Sequence, residues 1–273
     1  PKAFIFENVR GIKTMYGGRF FNEVVNSFAA VGYNVHYKLL NAKNFGVPQN
    51  RERIFIIGTL SDNQFHFPNE GLTSFKSLKA KKNVSEAILD LVNKGSDFPN
   101  HISLNHNEIV VKRYKFIKEG GKLPPPEELP KEIRRKNFGN TYVRLHRDKV
   151  APTMVPGNNA FPIHPTLNRS LTPREAARIQ TFPDNIIFSG PRREQCILVG
   201  NAVPPLLAAK LAIQTLEHLN NKVANGKISK PILKRNRSLK TSKEKNIKKL
   251  TFIDLFAGAG GITRGFINAG LSP

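Results

Sequence analysis

Cysteine is almost absent: Cys196 is the single one in 273 residues, which excludes a disulfide framework and a cysteine-rich zinc site. The seven histidines show no ligand-like pairing, and His101 and His106 stand five apart among ordinary loop residues. No metal is expected. No apolar run reaches the roughly 18 residues of a membrane span, and the opening Pro1-Lys-Ala-Phe-Ile-Phe6 is too short and wrongly flanked for a signal peptide. A cytoplasmic location without a membrane partner is the default expectation. Pro1 is not an initiator methionine and the first residues already read as a strand, so the N-terminus is expected to be cut mid-domain. Acids are scarce too: 20 Asp and Glu face 43 Lys and Arg, a net charge of +23. A field of that sign points to polyanions, most simply nucleic acid. Residues 222–249 alone carry eleven Lys or Arg and one acid, Glu244, which reads as a DNA-touching connector or a solvated linker.

What is present is an α/β pattern. Hydrophobic residues make up 39%, with 19 Phe, enough for a real core. Ala3–Phe6 is a short buried strand. Phe20, Phe21, Val24, Val25, Phe28 and Val31 fall on one stripe and predict a helix over 19–31, closed by Gly32. Val35–Leu40 alternates as a strand, and Arg53–Gly58 is a nearly continuous apolar run of the kind buried in a parallel sheet. From 61 to 149 the periodicity dissolves, apart from a helix over 84–93, and a second, smaller domain is expected there. Order returns at Thr172-Pro-Arg-Glu175, a capping box with Pro at the first helical position. A further helix starts at Pro204 or Pro205 and runs through Leu216.

Four segments carry chemistry. Thr251-Phe-Ile-Asp-Leu-Phe-Ala-Gly-Ala-Gly-Gly-Ile262 reads as strand, glycine-rich turn and helix, the opening unit of a doubly wound nucleotide-binding sheet. Dinucleotide folds place a ribose-binding acid roughly 20 residues on, yet no Asp or Glu occurs from Leu255 to Pro273. Glu7-Asn-Val9 sits at the carboxyl end of a strand. Gln49-Asn-Arg-Glu-Arg53 leads into the next apolar run, and Gly200-Asn-Ala-Val-Pro-Pro205 precedes the last long helix. Singly, each has a plain reading: Glu7 as a strand-end salt bridge, Arg51 and Arg53 as a solvated edge, Asn201 as a helix cap.

Together the four resemble the cytosine-5 DNA methyltransferases. The glycine turn is similar to that family's first motif, Glu-Asn-Val to its sixth, residues 49–58 to its eighth and residues 200–205 to its tenth. The stretch from Arg144 through Ala151-Pro-Thr-Met154 to Leu171–Pro183 resembles the ninth. The resemblance covers nearly the whole chain except 60–143 and 222–249. It implies an incomplete, permuted Rossmann-like S-adenosylmethionine-dependent methyltransferase sheet with a smaller DNA target-recognition domain. The implied partition is 1–60 catalytic, 61–190 the smaller domain with target recognition within about 61–143, 191–221 the returning helix, 222–249 the linker and 250–273 the cofactor turn.

The resemblance also implies roles on double-stranded DNA. Glu7 meets ring nitrogen 3 and the amino group of a cytosine flipped out of the duplex, Arg53 its carbonyl at position 2, and Arg51 lies beside them. Phe256 packs on the adenine of S-adenosyl-L-methionine, Ala257, Gly258, Ala259, Gly260 and Gly261 pass beside its methionine part, and Asn201, Ala202 and Val203 close the pocket. Arg144, Arg147 and Arg169 are expected on DNA. Two departures stand out. The family's nucleophile lies in a Pro-Cys motif between the glycine turn and Glu-Asn-Val; here Cys196 stands just before Gly200 and is expected to be a small buried hydrophobe. And the tenth motif precedes the first, so the chain is expected to be a permuted enzyme continuing into the missing motifs, a split enzyme completed by another polypeptide, or the join of two tandem methyltransferases. The rival readings are a non-catalytic DNA-binding subunit or decayed paralogue and, on the glycine turn alone, a dinucleotide-dependent oxidoreductase.

Overall fold

The computed structural model describes residues 1–75, 77–135, 142–157, 161–220 and 250–273. The basic connector 222–249 lies outside the described residues. Strands β1 (Ala3–Val9), β2 (Asn34–Asn41) and β3 (Glu52–Thr59) form a sheet in the order β1-β3-β2. Helix α1 (Arg19–Ala30) joins β1 to β2. Ile54 and Ile56 of β3 pack with Phe4, Phe6, Phe21, Val24 and Val25 on the α1 side. Phe55 and Ile57 pack with Ile5, Leu206, Leu207 and Leu211 on the other side, where the last three belong to α6 (Pro205–Asn220). The sheet is therefore a middle layer between helices.

The parallel sheet expected from the apolar run is not what forms: β3 is antiparallel to both neighbours. Continuous hydrophobicity reports burial on both faces, and a central strand under two helical layers has that burial whichever way it runs. The ten residues 42–51 between β2 and β3 are also fewer than a parallel crossover needs.

The middle of the chain adds α2 (Val84–Ile88, continued as a 3₁₀ turn to Asn93), α3 (Glu108–Lys115), α4 (Pro173–Ile179) and α5 (Arg192–Asn201). The capping box at Thr172 and Glu175 forms as the sequence predicts. α2, α4 and α5 share one core with Leu145, Phe161 and Phe188, which contains the buried Cys196. Gly200 and Asn201 end α5 and so belong to a helix terminus, not to the free turn expected. Arg192–Asn220 is long and apolar enough to cross a membrane by length and composition, but 78% of its most apolar window is buried. It is interrupted at Ala202–Pro204 and works as core.

The last segment departs most from expectation. Helix α7 (Gly261–Asn268) forms, but the apolar run before it does not become a strand of the sheet. Its one ladder contact is the isolated bridge between Thr251 and Ser272, and Ile253, Leu255 and Phe256 are 87%, 80% and 95% exposed. A strand needs a neighbour for its backbone groups, and no described strand lies beside this segment. Its helix nevertheless docks closely: a Cβ on Gly265 would meet Ala208 Cβ at 2.5 Å, Ala209 N at 2.6 Å and Pro205 O at 2.7 Å, and one on Gly261 would strike the Val203 carbonyl. Replacing Gly265 by Ala is expected to cost about 1–3 kcal/mol of that docking. Hydrogen exchange of α7 amides measures it; unchanged protection would mean that α7 does not rest on α6.

Candidate functional site

β1 and β3 bring two predicted residues together because their register is antiparallel. Val9 lies opposite Arg53 and Glu7 opposite Phe55, so Glu7 and Arg53 are diagonal neighbours on one face. Arg53 Nε lies 3.0 Å from Glu7 Oε1, with the side chains 14% and 19% exposed. The contact is a close ion pair that draws each group toward its charged form against burial. Arg53 Nη1 donates to the carbonyl of Glu52 at 2.8 Å. Arg51, expected as part of a solvated edge or beside the site, is wholly buried. Its Nη1 reaches the Met154 carbonyl at 3.5 Å, while Nε and Nη2 have no hydrogen-bond partner.

Burial sets the electrostatics. Desolvation pushes the Glu7 carboxyl above the usual carboxylate range, against the pull of Arg53 and Arg51. Desolvation, together with repulsion from Arg53, draws Arg51 down to about 9, only partly relieved by Glu7. Arg53 is lowered as well, first by burial, with Glu7 opposing. A carboxyl beside an arginine can hydrogen-bond a heterocycle's ring nitrogen and amino group while the guanidinium of Arg53 meets a carbonyl oxygen. Gln49, which sequence reading passes over, is wholly buried two residues before Arg51 with neither amide atom hydrogen-bonded. Its signal was its alternate position with Arg51 and Arg53.

A strap joins this group to the predicted cofactor turn. Ala151 bridges Gln49 in parallel, Asn50 N donates to Ala151 O at 2.7 Å and Thr153 Oγ1 to Asn50 O at 2.7 Å. Further along, Pro156 lies so close to Gly200 that a Cβ there would stand 2.6 Å from Pro156 Cα. Asn201 is exposed, Ala202 and Val203 are buried, and Val203 touches Gly261. Gly258 and Gly260 have φ of 50° and 73°, conformations that favour glycine; a Cβ on Gly260 would meet open space and one on Gly258 only the Phe256 carbonyl at 3.8 Å. Ala259 packs on the α4–α5 core, Gly260 N donates to Ala257 O at 2.6 Å, and Thr263 Oγ1 donates to Asp254 at 2.7 Å. An open glycine turn beside a bare aromatic ring suits a nucleoside-bearing ligand.

The expected DNA arginines are placed differently. Arg144 is buried, donating to the carbonyls of Tyr114, Ile117, His164 and Leu167 and to Asn168 Oδ1 at 2.7–3.0 Å. That corrects the expectation of a DNA contact: the guanidinium is consumed in tying its own segment to 114–117 and 164–168. Arg169 turns inward onto Glu175, with Nη2 at 2.7 Å. Arg147 stays at the surface, paired with Glu119 at 2.9 Å. Among the described residues no group of three His, Cys, Asp or Glu could hold a metal.

Residues 1–217 match the family described as C-5 cytosine-specific DNA methylase. The chain belongs to that family. Similar proteins include the Type II methyltransferases M1.HphI of Haemophilus parahaemolyticus, 35% identical over 81% of this chain and 58% of that protein, and M.DdeI of Desulfomicrobium norvegicum, 32% identical over 78% and 62%. M.MthTI of Methanothermobacter thermautotrophicus is 34% identical over 78% and 65%. The chain thus spans about three-fifths of these relatives. A solved structure described as a DNA modification methyltransferase encoded within an E. coli prophage shares the fold, with TM-score 0.54 and 24% identity over 81% of this chain and 70% of that one.

A buried histidine beside Glu175 gives a pH prediction. His164 is wholly buried; its Nδ1 accepts from the Thr166 and Leu167 amides at 3.2 Å, which fixes the neutral ring. Its pKa is lowered to about 4, chiefly by desolvation against the pull of Glu175. Folding thus disfavours the proton, so its stabilising contribution is full above the unfolded value of about 6.5 and is lost as pH falls towards 4. Acidification over that window should remove up to about 3 kcal/mol, and His164→Asn should flatten this limb in urea unfolding at stepped pH. An unchanged slope would contradict the assignment.

Proposed function

We propose that this chain is the larger part of a DNA cytosine-5 methyltransferase that uses S-adenosyl-L-methionine, working in a restriction-modification system in the cytoplasm. The observation that carries the reading is the buried Glu7–Arg53 pair with Arg51 on one sheet face, within a chain of the cytosine-5 methylase family. Glu7 binds N3 and the amino group of a flipped cytosine and holds a proton at N3, which its burial favours. Arg53 binds the carbonyl at position 2, and Arg51 adds positive potential where negative charge develops on the ring. The methyl donor fits Phe256, the glycine turn 257–261 and Asn201–Val203; when bound it supplies an electrophilic methyl group. The nucleophile is outside this chain, because Cys196 is core and its thiol is raised by burial.

The rest of the sheet, with its Pro-Cys turn, comes from a continuation or a complementing polypeptide. Its docking place is the free edge of β1, which among the described residues pairs on one side only. An apolar, ungated edge strand of this kind invites strand pairing. The middle region, about 61–190, faces DNA, with target recognition within about 61–143. The non-catalytic reading would leave the buried arrangement of Glu7, Arg51 and Arg53 without use.

In the completed enzyme, Glu7→Gln is expected to lower single-turnover methylation on the order of 10²–10⁴-fold with cofactor affinity nearly unchanged, while Phe256→Ala should weaken cofactor binding first. Loss of cofactor binding in Glu7→Gln with an unaltered rate at saturation would sink the assignment. DNA affinity should also fall roughly 10³–10⁵-fold between 50 and 200 mM salt for six to ten phosphate contacts. Deleting 222–249 should make that slope shallower; an equal slope would make the segment a plain linker.

A further inference from the structure

We propose that Gln49 is a positioning residue of the base site, its side-chain amide setting how the Arg51 guanidinium is shared with Glu7. The proposal rests on the reading of Glu7, Arg51 and Arg53 as the base-facing groups. β3 begins at Glu52, and just before it Gln49 and Arg51 are buried while Asn50 between them is exposed, the alternation by which Gln49, Arg51 and Arg53 share one side of the chain. Glu7 belongs to the same face, since it stands opposite Phe55 in the antiparallel ladder. The backbone of this run is fixed by Ala151, which bridges Gln49 and accepts from Asn50 N.

On that face the polar groups do not balance. Arg51 Nε, Arg51 Nη2 and Gln49 Nε2 are donors without a hydrogen-bond partner and Gln49 Oε1 an acceptor without one, while Glu7 Oε1 is met by Arg53 Nε at 3.0 Å. Arg51 and Gln49 have no solvent exposure to compensate. Buried orphans of both kinds on one face are rare and costly, and a set that matches itself can be satisfied by small side-chain rotations. The amide is the fitting chemistry for the intermediate group. Its oxygen accepts from Arg51 without adding charge, so the guanidinium stays available to Glu7. A carboxylate at position 49 would take Arg51 for itself and repel Glu7. An apolar side chain would leave Arg51 to Glu7 and the Met154 carbonyl.

Opposite shifts at Glu7 follow from these two replacements. The charged groups acting on Glu7 are Arg53 and Arg51, and both remain in every variant. The full 273-residue chain, carrying carboxyl-¹³C glutamate, is titrated by NMR as wild type, Gln49→Glu, Gln49→Leu and Gln49→Asn, with Glu7→Gln identifying the resonance. Gln49→Glu should raise the Glu7 proton affinity about tenfold and Gln49→Leu should lower it by a similar factor, each about one pH unit. Gln49→Asn, which keeps the amide, should stay near wild type and covers the case in which the larger changes perturb folding. A Glu7 titration that is the same in all folded variants, or that moves with thermal stability and not with the chemistry at position 49, would overturn the proposal and leave Gln49 as core filling. No DNA enters this measurement, so a failure of the methyltransferase reading would show separately, as a Glu7→Gln enzyme that methylates normally.

Discussion

The desolvated ion pair between Glu7 and Arg53, with Arg51 buried beside it, is the constraint on which the rest of the arrangement depends. Charged groups are withdrawn from water at a cost of several kcal/mol each even after relaxation, and the fold must hold them close to one another. Three features do so. The antiparallel run of β3 against β1 sets Glu7 and Arg53 on a diagonal, the α6 side of the sheet covers the apolar residues around them, and the 151–156 strap closes over Arg51. The strap then continues to Gly200, at the end of the helix that leads to Asn201 and Val203. The Glu7, Arg51 and Arg53 group and the glycine turn are thereby two ends of one contiguous set of contacts.

Much of this was legible from residue patterns. The α1 stripe, β2 and the α4 capping box appear where the spacing puts them, because each rests on local chemistry. Cys196 is core, as its place just before the tenth-motif segment implied. Strand direction was not legible: Ile54–Ile57 are apolar because both faces are covered, and coverage does not encode direction. Arg144 looked like a cation for phosphate, but which carbonyls converge on a guanidinium depends on loops far apart in sequence, here around 114–117 and 164–168. The run 252–256 has a strand's composition and lacks a strand's neighbour.

The order of segments is physically consistent. Gly261 and Gly265 let α7 come against Val203, Pro205, Ala208 and Ala209 at backbone distance, so a cofactor turn that follows α6 in sequence can lie against it in space. Surface-lying, adjacent termini are the condition under which chains tolerate rearranged order. The family match covers 1–217, and the glycine turn follows it in sequence while α7 lies against α6 in space.

The most direct measurement is nucleoside analysis of DNA from cells expressing this chain together with the segment that supplies the Pro-Cys turn. The account requires 5-methylcytosine, present with wild-type Glu7 and lost with Glu7→Gln. Methylation on the amino group of cytosine or adenine, or 5-methylcytosine undiminished without the Glu7 carboxylate, would contradict it.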